Sequence, residues 1–492
     1  MTSTVPPTPD AGPGTPAAVA EPSLRTRSLT GAIALSVRQV IGIVLGLGGV
    51  LVLTHELGPY GYGVYAIALG IAIWMQTLAD WGVGVYLVRL TGDQPIQLIE
   101  AQAFAVLMLL GVGGSLAGVG ILLAWGHLLW VHQAVTAAIA LIASTPVALA
   151  AQVPMARLER EMAYGQVATV EVSSQLSLYL VAIPLVFLGA GPWGPVLGLV
   201  VSRVVLLLGA AIVTRWRPRF HWDAATAKDV LGYGFGYSAS VTVWQLRGLA
   251  LPLIVGPLAG PAAAGQVALT VRLVEIAGFV RAATWRLGLA ALVRVQHDAG
   301  RTCRAVRDGA VLQVAALGVI LGGLALLAGP VLGTLFDARW TPIEQLFPLV
   351  AFGSIANAAF NLHSSALYAR RFNWSVTWFH VSHVVLFLGV GAVAVHFWGI
   401  TGYGLAELAA LPAYAVLLVA FRRRIGSVEL PVVLPWLIAA GGPLALPILG
   451  PASLLLLLAP ALPVCRRASA ELAASIVSAL AGRTPWRLRS AS

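Results

Sequence analysis

Six arginines lie inside long apolar stretches of this 492-residue chain, where a charge is costly unless it faces a cavity or a partner. They are Arg38, Arg203, Arg247, Arg272, Arg281 and Arg286. The acids best placed in the same stretches are Asp80, Glu171, Glu275 and Glu407. The apolar interior is therefore net positive, and the planar guanidinium fork matches phosphate oxygens. These residue types favour an anionic, phosphate-bearing ligand over an organic cation.

Depth along each stretch indicates which charges could meet. Arg38 and Asp80 both lie roughly 12–14 Å from the same end of their spans, at about 1.5 Å per helical residue, so they could pair. Arg272 has Glu275 three residues further on, on the same helix face. For both pairs a purely structural ion pair is the alternative interpretation. Arg247 has no acid at its depth in its own span or the next, so we predict that it contacts phosphate.

The roles of the other arginines have alternative interpretations. Arg281 and Arg286 approach one end of their span, where they could guide a ligand head group or simply reach lipid phosphates at the membrane surface. Arg203 could meet Glu171 across two neighbouring spans, which would be a structural contact.

Polar and aromatic residues near these charges could bind sugar. Asn357 and Asn361 are four residues apart on one helix face and could bind hydroxyl groups, although hydrogen bonding between helices is the commoner role of such residues. Trp244 and Gln245 precede Arg247 and suit stacking and hydrogen bonding.

No pattern indicates a metal or a cofactor. His380 and His383 share a helix face, but further ligands are not evident, and the two cysteines lie far apart. There is no P-loop and no glycine-rich dinucleotide motif. The candidate residues are therefore expected to bind a ligand without a cofactor or a catalytic residue.

The elements that must position these residues are membrane-spanning helices. Hydrophobic residues make up 59% of the chain and charged residues only 10%, which excludes a soluble enzyme. At about 20 apolar residues per span, we predict an all-α polytopic membrane protein of about fourteen helices. The predicted spans are 29–54, 64–88, 101–124, 133–152, 165–189, 192–213, 231–255, 263–290, 310–333, 343–366, 374–396, 399–420, 431–449 and 451–465.

Basic residues predict the orientation. Of the 30 Lys and Arg, 23 fall on one side of the predicted membrane and only Arg339 on the other. By the positive-inside rule both termini are cytoplasmic and the number of spans is even. The net charge of +11 is thus mainly a topology signal and does not indicate nucleic acid.

An internal repeat divides the chain into two halves. Gly58-Pro59, Gly63 and Ala66 recur as Gly260-Pro261, Gly265 and Ala268, always 202 residues apart. A second pair, Trp193-Gly194 and Trp398-Gly399, has a similar offset. Six spans separate the copies, so the repeat is parallel. We predict a disordered tail at 1–24, an N-lobe at 25–213, a cytoplasmic linker at 214–230 and a C-lobe at 231–420. Residues 421–492 would form the last two spans and a C-terminal tail, which includes an amphipathic helix at 468–481. The two six-helix lobes would enclose a central cavity.

The stretch His55-Glu-Leu-Gly-Pro-Tyr-Gly-Tyr-Gly-Val-Tyr-Ala66, followed by Asp80-Trp-Gly-Val-Gly84, resembles the start of polysaccharide-transporter proteins. In the second half, Gly399-Ile-Thr-Gly-Tyr-Gly-Leu-Ala406 fits the same family, the flippase branch of the multidrug/oligosaccharidyl-lipid/polysaccharide superfamily. The resemblance covers about residues 25–420. It implies lobes that open alternately to each membrane face and a polyprenyl-pyrophosphate-linked oligosaccharide as substrate. It also implies the bacterial inner membrane as location.

Two other functions compete with a flippase. A cation-coupled multidrug antiporter of the same superfamily would need an acidic ion site, for which Asp80 and Glu171 are candidates, but Arg38 and Arg203 lie nearby. A glycan polymerase or glycosyltransferase would need longer external loops than this chain has. The partners expected of a flippase are its lipid-linked oligosaccharide, membrane lipids, the polymerase or glycosyltransferases of its pathway, and a coupling ion that the sequence does not identify.

Overall fold

The computed structural model describes residues 24–88, 90, 95–281, 292, 295, 297–463 and 470, with the backbone alone at 24–36, 233–241, 328–333 and 335. Residues 1–23 of the predicted tail lie outside the described residues. So does the predicted helix at 468–481, apart from residue 470.

The described part of the chain is helical and contains no strand. The first half consists of α1 (Leu24–Asp80), α2 (Val83–Val88), α3 (Ile96–Leu129), α4 (His132–Ala143), α5 (Thr145–Arg160), α6 (Tyr164–Phe187) and α7 (Trp193–Thr214). The next part consists of α8 (Ala224–Gln245), a 3-10 turn (Leu246–Leu249), a π-helical turn (Leu251–Val255) and α9 (Gly256–Ile276), after which the chain is helical again at 278–281. The remainder is α10 (Ala299–Leu335), a 3-10 turn (Ala338–Trp340), α11 (Ile343–Ala369), α12 (Asn373–Ala409), a 3-10 turn (Leu411–Ala413), α13 (Tyr414–Arg424), α14 (Leu430–Leu444), α15 (Leu446–Leu449) and a 3-10 helix (Gly450–Ala461).

Nine helical stretches of the described residues are long and apolar enough to cross a membrane, and a bent pair of helices, Leu430–Leu444 with Leu446–Ala461, adds to them. Three of the nine are broken by a glycine with non-helical backbone: Gly58, Gly260 and Gly399. Division at these glycines and at the bend after Leu444 gives 14 helical segments. The predicted fold class, an all-α membrane protein of about fourteen helices, is confirmed.

The two lobes cross at the glycines of the repeat. A methyl group added at Gly63 would lie 1.7 Å from the carbonyl oxygen of Pro261, and one at Gly265 would lie 2.0 Å from the carbonyl oxygen of Pro59. The contact is reciprocal, as expected when two copies of one motif meet across a two-fold axis. The backbones can approach this closely because neither glycine carries a side chain.

The buried cores follow from this crossing. One core joins the second half of α1 to α9 and continues into both lobes. At the opposite end, α1–α3, α5 and the start of α8 share a second core, and α11–α13 belong to a third. The lobes are thus fused at the crossing and have separate cores at the other end.

The connection between the lobes is shorter than predicted. The sequence predicts a linker over 214–230, but α8 already begins at Ala224, where Asp223 caps it by accepting from the backbone N–H of Thr226 at 2.8 Å. This leaves residues 215–223 as the non-helical part, which we call the interlobe linker.

Candidate functional site

A cavity of about 380 Å³ lies between the lobes, and we call it the interlobe cavity. The first half of α1 and part of α6 form its N-lobe wall, and the end of α9 forms its C-lobe wall. Its charged lining residues are Arg38, Arg272 and Glu275. Three residues of the predicted site are therefore brought together here.

Arg38 pairs with Glu171 of α6, with 2.7 Å between Nε and Oε2. The predicted pairing of Arg38 with Asp80 is wrong. Depth along a span does not tell which helix stands beside it, and here α6 packs on α1, where the Gln175 side-chain amide donates to the carbonyl of Gly42 at 2.8 Å. Both members of the Arg38–Glu171 pair remain partly exposed, at 33% and 29%.

Asp80 lies away from the interlobe cavity. It lines a separate cavity of about 370 Å³ within the N-lobe, together with Gln152 and Glu159 of α5. The predicted site residue is therefore in the N-lobe, but it does not share a cavity with the arginines.

Arg203 is buried inside the N-lobe, with 7% of its surface exposed. It donates to the carbonyl of Leu141 at 2.7 Å, to the hydroxyl of Ser144 at 2.5 Å and to the side-chain oxygen of Gln76 at 3.0 Å. The predicted contact with Glu171 is wrong, because neutral oxygens of three neighbouring elements surround this guanidinium. Buried and hydrogen-bonded on several sides, it links helices.

Arg272 and Glu275 form the ion pair that their spacing predicts, with 3.2 Å between Nη1 and Oε2. About half of each side chain is exposed, so the pair faces the interlobe cavity rather than the protein core. One contact engages one of the five N–H donors of a guanidinium, which leaves Arg272 with donors for an anion.

A second cavity, of about 410 Å³, lies within the C-lobe, and we call it the C-lobe cavity. It contains four predicted site residues: Trp244, Arg281, Asn357 and Asn361. The amide of Asn357 donates to the hydroxyl of Tyr414 at 3.0 Å. Tyr414 also stacks on Phe360 with 4.5 Å between ring centres, so the wall of this cavity is both aromatic and polar.

Arg281 points into the C-lobe cavity and donates to the hydroxyl of Ser354 on α11 at 3.1 Å. Arg281 thus lines a cavity inside the C-lobe, and its predicted role as a guide for a ligand head group stays a prediction. Arg286, for which contact with a ligand head group and contact with lipid phosphates were the two interpretations, lies outside the described residues.

Arg247 is partly buried, with 22% of its side chain exposed, and has an acidic partner. Its Nη2 lies 2.5 Å from Oε1 of Glu407 on α12, a side chain that is only 5% exposed. Its guanidinium also lies 4.6 Å from the ring centre of Phe387 and 5.0 Å from that of Trp244. The predicted phosphate contact of Arg247 rested on the lack of an acid in its own span and the next, but Glu407 comes from a span five further along the chain. The phosphate contact itself stays a prediction.

Trp244 and Gln245, the two predicted sugar-binding residues before Arg247, have different surroundings. Trp244 lies 5.0 Å from the ring of His380 and 5.2 Å from that of His383, within the aromatic cluster of the C-lobe. Gln245 is exposed and lines neither of the two cavities described above. Among the described residues, no three His, Cys, Asp or Glu side chains are grouped so that they could hold a metal ion.

Two functional contacts were missed in the sequence. Glu407 was recognised as an intramembrane acid but not as the partner of Arg247, and Tyr414 was not singled out at all. The available signal for Tyr414 was a polar-tipped aromatic residue within an apolar span, which usually finds a hydrogen-bond partner when buried.

The fold and these cavities define a multi-pass membrane protein with two lobes and an arginine-bearing cavity between them. A family model, that of the polysaccharide biosynthesis proteins, matches residues 52–345, which is more than half of the chain. The chain belongs to this family, and the resemblance seen in its turn motifs is confirmed.

Relatives and solved structures agree with this assignment. The succinoglycan biosynthesis transport protein ExoT of Rhizobium meliloti (strain 1021) is 23% identical over 338 residues, or 67% of each chain. The amylovoran biosynthesis protein AmsL of Erwinia amylovora is 26% identical over 180 residues, which are 36% of this chain and 46% of that protein. The structure of the lipid II flippase MurJ in an inward closed conformation matches 91% of this chain and 100% of that one, with a TM-score of 0.64 and 13% identity. The two proteins share a fold.

Proposed function

We propose that this protein is a flippase that carries polyprenyl-pyrophosphate-linked oligosaccharide from the cytoplasmic to the outer leaflet of the bacterial inner membrane. The cargo would be a repeat unit of O-antigen, capsule or exopolysaccharide, built by glycosyltransferases and joined afterwards by a polymerase. The relatives named for succinoglycan and amylovoran biosynthesis support a role in glycan production. The fold shared with a lipid II flippase supports a two-lobe mechanism.

Arg281 is the observation that carries this proposal. It lines the C-lobe cavity, its hydrogen-bond partner is the neutral Ser354, and no carboxylate of the described residues forms an ion pair with it. Phosphate oxygens are the natural partners of such a guanidinium. Three other intramembrane arginines already contact a carboxylate: Arg38, Arg247 and Arg272.

The remaining wall of the C-lobe cavity suits the sugar part of the cargo. Asn357 and Asn361 offer amide donors and acceptors to hydroxyl groups, and the rings of Trp244, Phe379 and Tyr414 offer flat apolar faces. A positive group beside amides and aromatic rings matches a phosphate attached to a sugar better than it matches an organic cation.

The two cavities share one wall. Arg272 faces the interlobe cavity and Arg281 the C-lobe cavity, nine residues further along the same helical stretch, or roughly 13 Å at 1.5 Å per residue. A pyrophosphate held near Arg281, with its sugars against the amides and rings of the C-lobe cavity, would lie within roughly this distance of Arg272. In the proposed cycle the lobes rock about the Gly63–Gly265 crossing, while the lipid tail stays in the bilayer.

The test is a flipping assay in proteoliposomes with fluorescent polyprenyl-pyrophosphate-linked sugar. Arg281→Ala should slow flipping roughly 10- to 100-fold, because a hydrogen bond to a charged group contributes about 1.5–3 kcal/mol. Arg281→Lys should retain part of the activity, since it keeps the charge but not the fork. Arg423→Ala is the matched control, an exposed arginine at the end of α13 outside both cavities.

Full flipping by a stably reconstituted Arg281→Ala protein would remove this residue from the mechanism. Resistance to cationic drugs on overexpression, with no flipping of the labelled lipid, would instead identify a multidrug antiporter.

A further inference from the structure

The interlobe linker carries an alternating pattern that the proposed function does not use. It begins Arg215-Trp216-Arg217-Pro218-Arg219-Phe220, with a basic residue at every second position. The segment after Arg215 is non-helical. In an extended chain successive side chains point to opposite sides, which separates the arginines from the aromatic rings.

The aromatic side of the linker is docked on the N-lobe. The ring of Trp216 lies 5.3 Å from that of Phe104 on α3, and the ring of Phe220 lies 5.0 Å from it. Phe104 is buried and therefore offers a fixed platform. The linker is thus a packed part of the N-lobe surface.

The arginines of the linker, together with Trp216, line a pocket of about 150 Å³, which we call the linker pocket. Four arginines surround it: Arg157, Arg215, Arg217 and Arg219. Among the described residues that line it, the one acid is Glu100, whose side chain is 3% exposed and already binds both Arg157 and Arg160. Two arginines already pair with this carboxylate. The linker arginines therefore have no share in its negative charge, and the pocket is strongly positive.

Hydrogen bonds hold both ends of the linker. Arg157 donates to the carbonyl of Thr214 at 3.4 Å, and the backbone N–H of Asp223 donates to the fully buried Gln102 at 2.6 Å. Because the backbone that carries the arginines is already ordered, an anion entering the pocket would gain their contacts without the entropic cost of ordering that backbone.

Exposed aromatic residues of the same linker indicate where the anion comes from. Phe220, which follows Arg219 directly, is 74% exposed, and Trp222 is 57% exposed, although both are large and apolar or amphipathic. Exposed aromatic rings at the end of membrane-spanning helices are typical of the interface between lipid and water. A soluble anion would need no such rings, whereas a lipid would place its head group among the arginines and its glycerol region near the rings that follow them in the linker.

We propose that the linker pocket is a binding site for the phosphate head group of an anionic phospholipid in the leaflet at this face of the membrane. Basic pockets between helices at the face rich in Lys and Arg are a known setting for such head groups. The site lies on the N-lobe and on the linker to the C-lobe, apart from both cavities of the proposed flippase.

Native mass spectrometry of the purified full chain tests this site with phosphatidylglycerol, and with phosphatidylcholine as the lipid without net charge. The wild type should retain phosphatidylglycerol selectively. The double variant Arg217→Gln, Arg219→Gln should bind it about 25-fold more weakly, or about fivefold for each arginine near the lipid. The control Arg422→Gln, Arg423→Gln removes two exposed arginines at the end of α13 and should bind it as the wild type does.

A second variant keeps the charge of the pocket intact. Trp222→Ser, at an exposed position of the linker, should weaken retention of phosphatidylglycerol if the exposed linker rings contact lipid. The proposal is overturned if the linker and control variants lose retention equally, or if phosphatidylcholine binds as well as phosphatidylglycerol. It is also overturned if inorganic phosphate alone saturates the pocket while Trp222→Ser changes nothing, which would assign it to a soluble anion. This experiment measures lipid retention and not transport. Its result therefore neither supports nor contradicts the flippase proposal, which the flipping assay tests separately.

Discussion

The N-lobe and the C-lobe cross at equivalent glycines, Gly63 and Gly265, but they hold their intramembrane arginines in different ways. In the N-lobe, Arg203 is buried and bonded to three neutral oxygens of surrounding elements. In the C-lobe, Arg281 faces a cavity with one hydroxyl as its partner. The repeat has kept the contact between the lobes and has not kept the same chemistry inside them.

This difference suggests that the two lobes have different roles in transport. The N-lobe uses Arg203 to join its helices, whereas the C-lobe combines a cavity-facing guanidinium with amides and aromatic rings. We therefore expect the C-lobe to recognise the cargo and the N-lobe to close the cavity from the other side. Changes at matched positions of the two lobes can test that comparison.

The largest effect is expected from Glu407→Gln in the C-lobe. It would leave Arg247 largely buried without its counter-charge, and breaking a buried pair from one side costs about 3–5 kcal/mol of unfolding free energy. Thermal unfolding of the detergent-solubilised protein measures this loss. The double variant Arg247→Met, Glu407→Leu should recover most of the stability, because neither charge remains to be compensated. An unchanged unfolding temperature in Glu407→Gln would show that the pair does not stabilise the C-lobe.

A smaller loss of unfolding free energy is expected from substitutions at the crossing of the lobes. The loss should be equal for the glycine of either lobe. Gly63→Ala and Gly265→Ala each place a methyl group against a backbone carbonyl, so the cost should lie at the upper end of the about 1–3 kcal/mol of ordinary overpacking. Gly120→Ala is the control, a helical glycine of α3 with open space around it. Unfolding curves of the three variants give the comparison. Destabilisation by only one of the crossing variants would contradict the symmetry of the contact.

The smallest effect is expected from Glu171→Gln in the N-lobe. Its partner Arg38 is 33% exposed, and ion pairs accessible to solvent contribute about 0–1 kcal/mol. The unfolding temperature should therefore stay close to that of the wild type, in contrast with Glu407→Gln. A loss as large as that of Glu407→Gln would mean that the two pairs are structurally equivalent and that the lobes do not differ in this respect.

Features that repeat along the chain or lie within one helix could be predicted from the sequence. The offset of 202 residues between Gly63 and Gly265 identified the motif at which the lobes cross, and the three-residue spacing of Arg272 and Glu275 identified their ion pair. The ion pair follows from local geometry, since neighbours at i and i+3 share a helix face whatever surrounds them. The repeat is visible because the same residues recur along the chain.

Pairs between helices could not be predicted in this way. Arg38 was matched to Asp80 because both lie at one depth, yet α6 stands beside α1 and supplies Glu171 instead. Arg247 was predicted to lack a partner because spans seven and eight contain no suitable acid, while Glu407 comes from the twelfth. Depth is one coordinate of three, and the other two depend on which helices adjoin and how each is rotated.

The sequence by itself determined that this is a membrane protein of about fourteen helices, with a parallel repeat and arginines within its spans. Apolar length, periodicity and charge are properties of single segments, and the bilayer acts on each segment separately. Only the tertiary structure decided which arginines are paired with a carboxylate and that the Arg281 side chain lines a cavity. That outcome depends on packing between segments far apart in the chain, since a carboxylate compensates a guanidinium only where the folded helices bring them into contact.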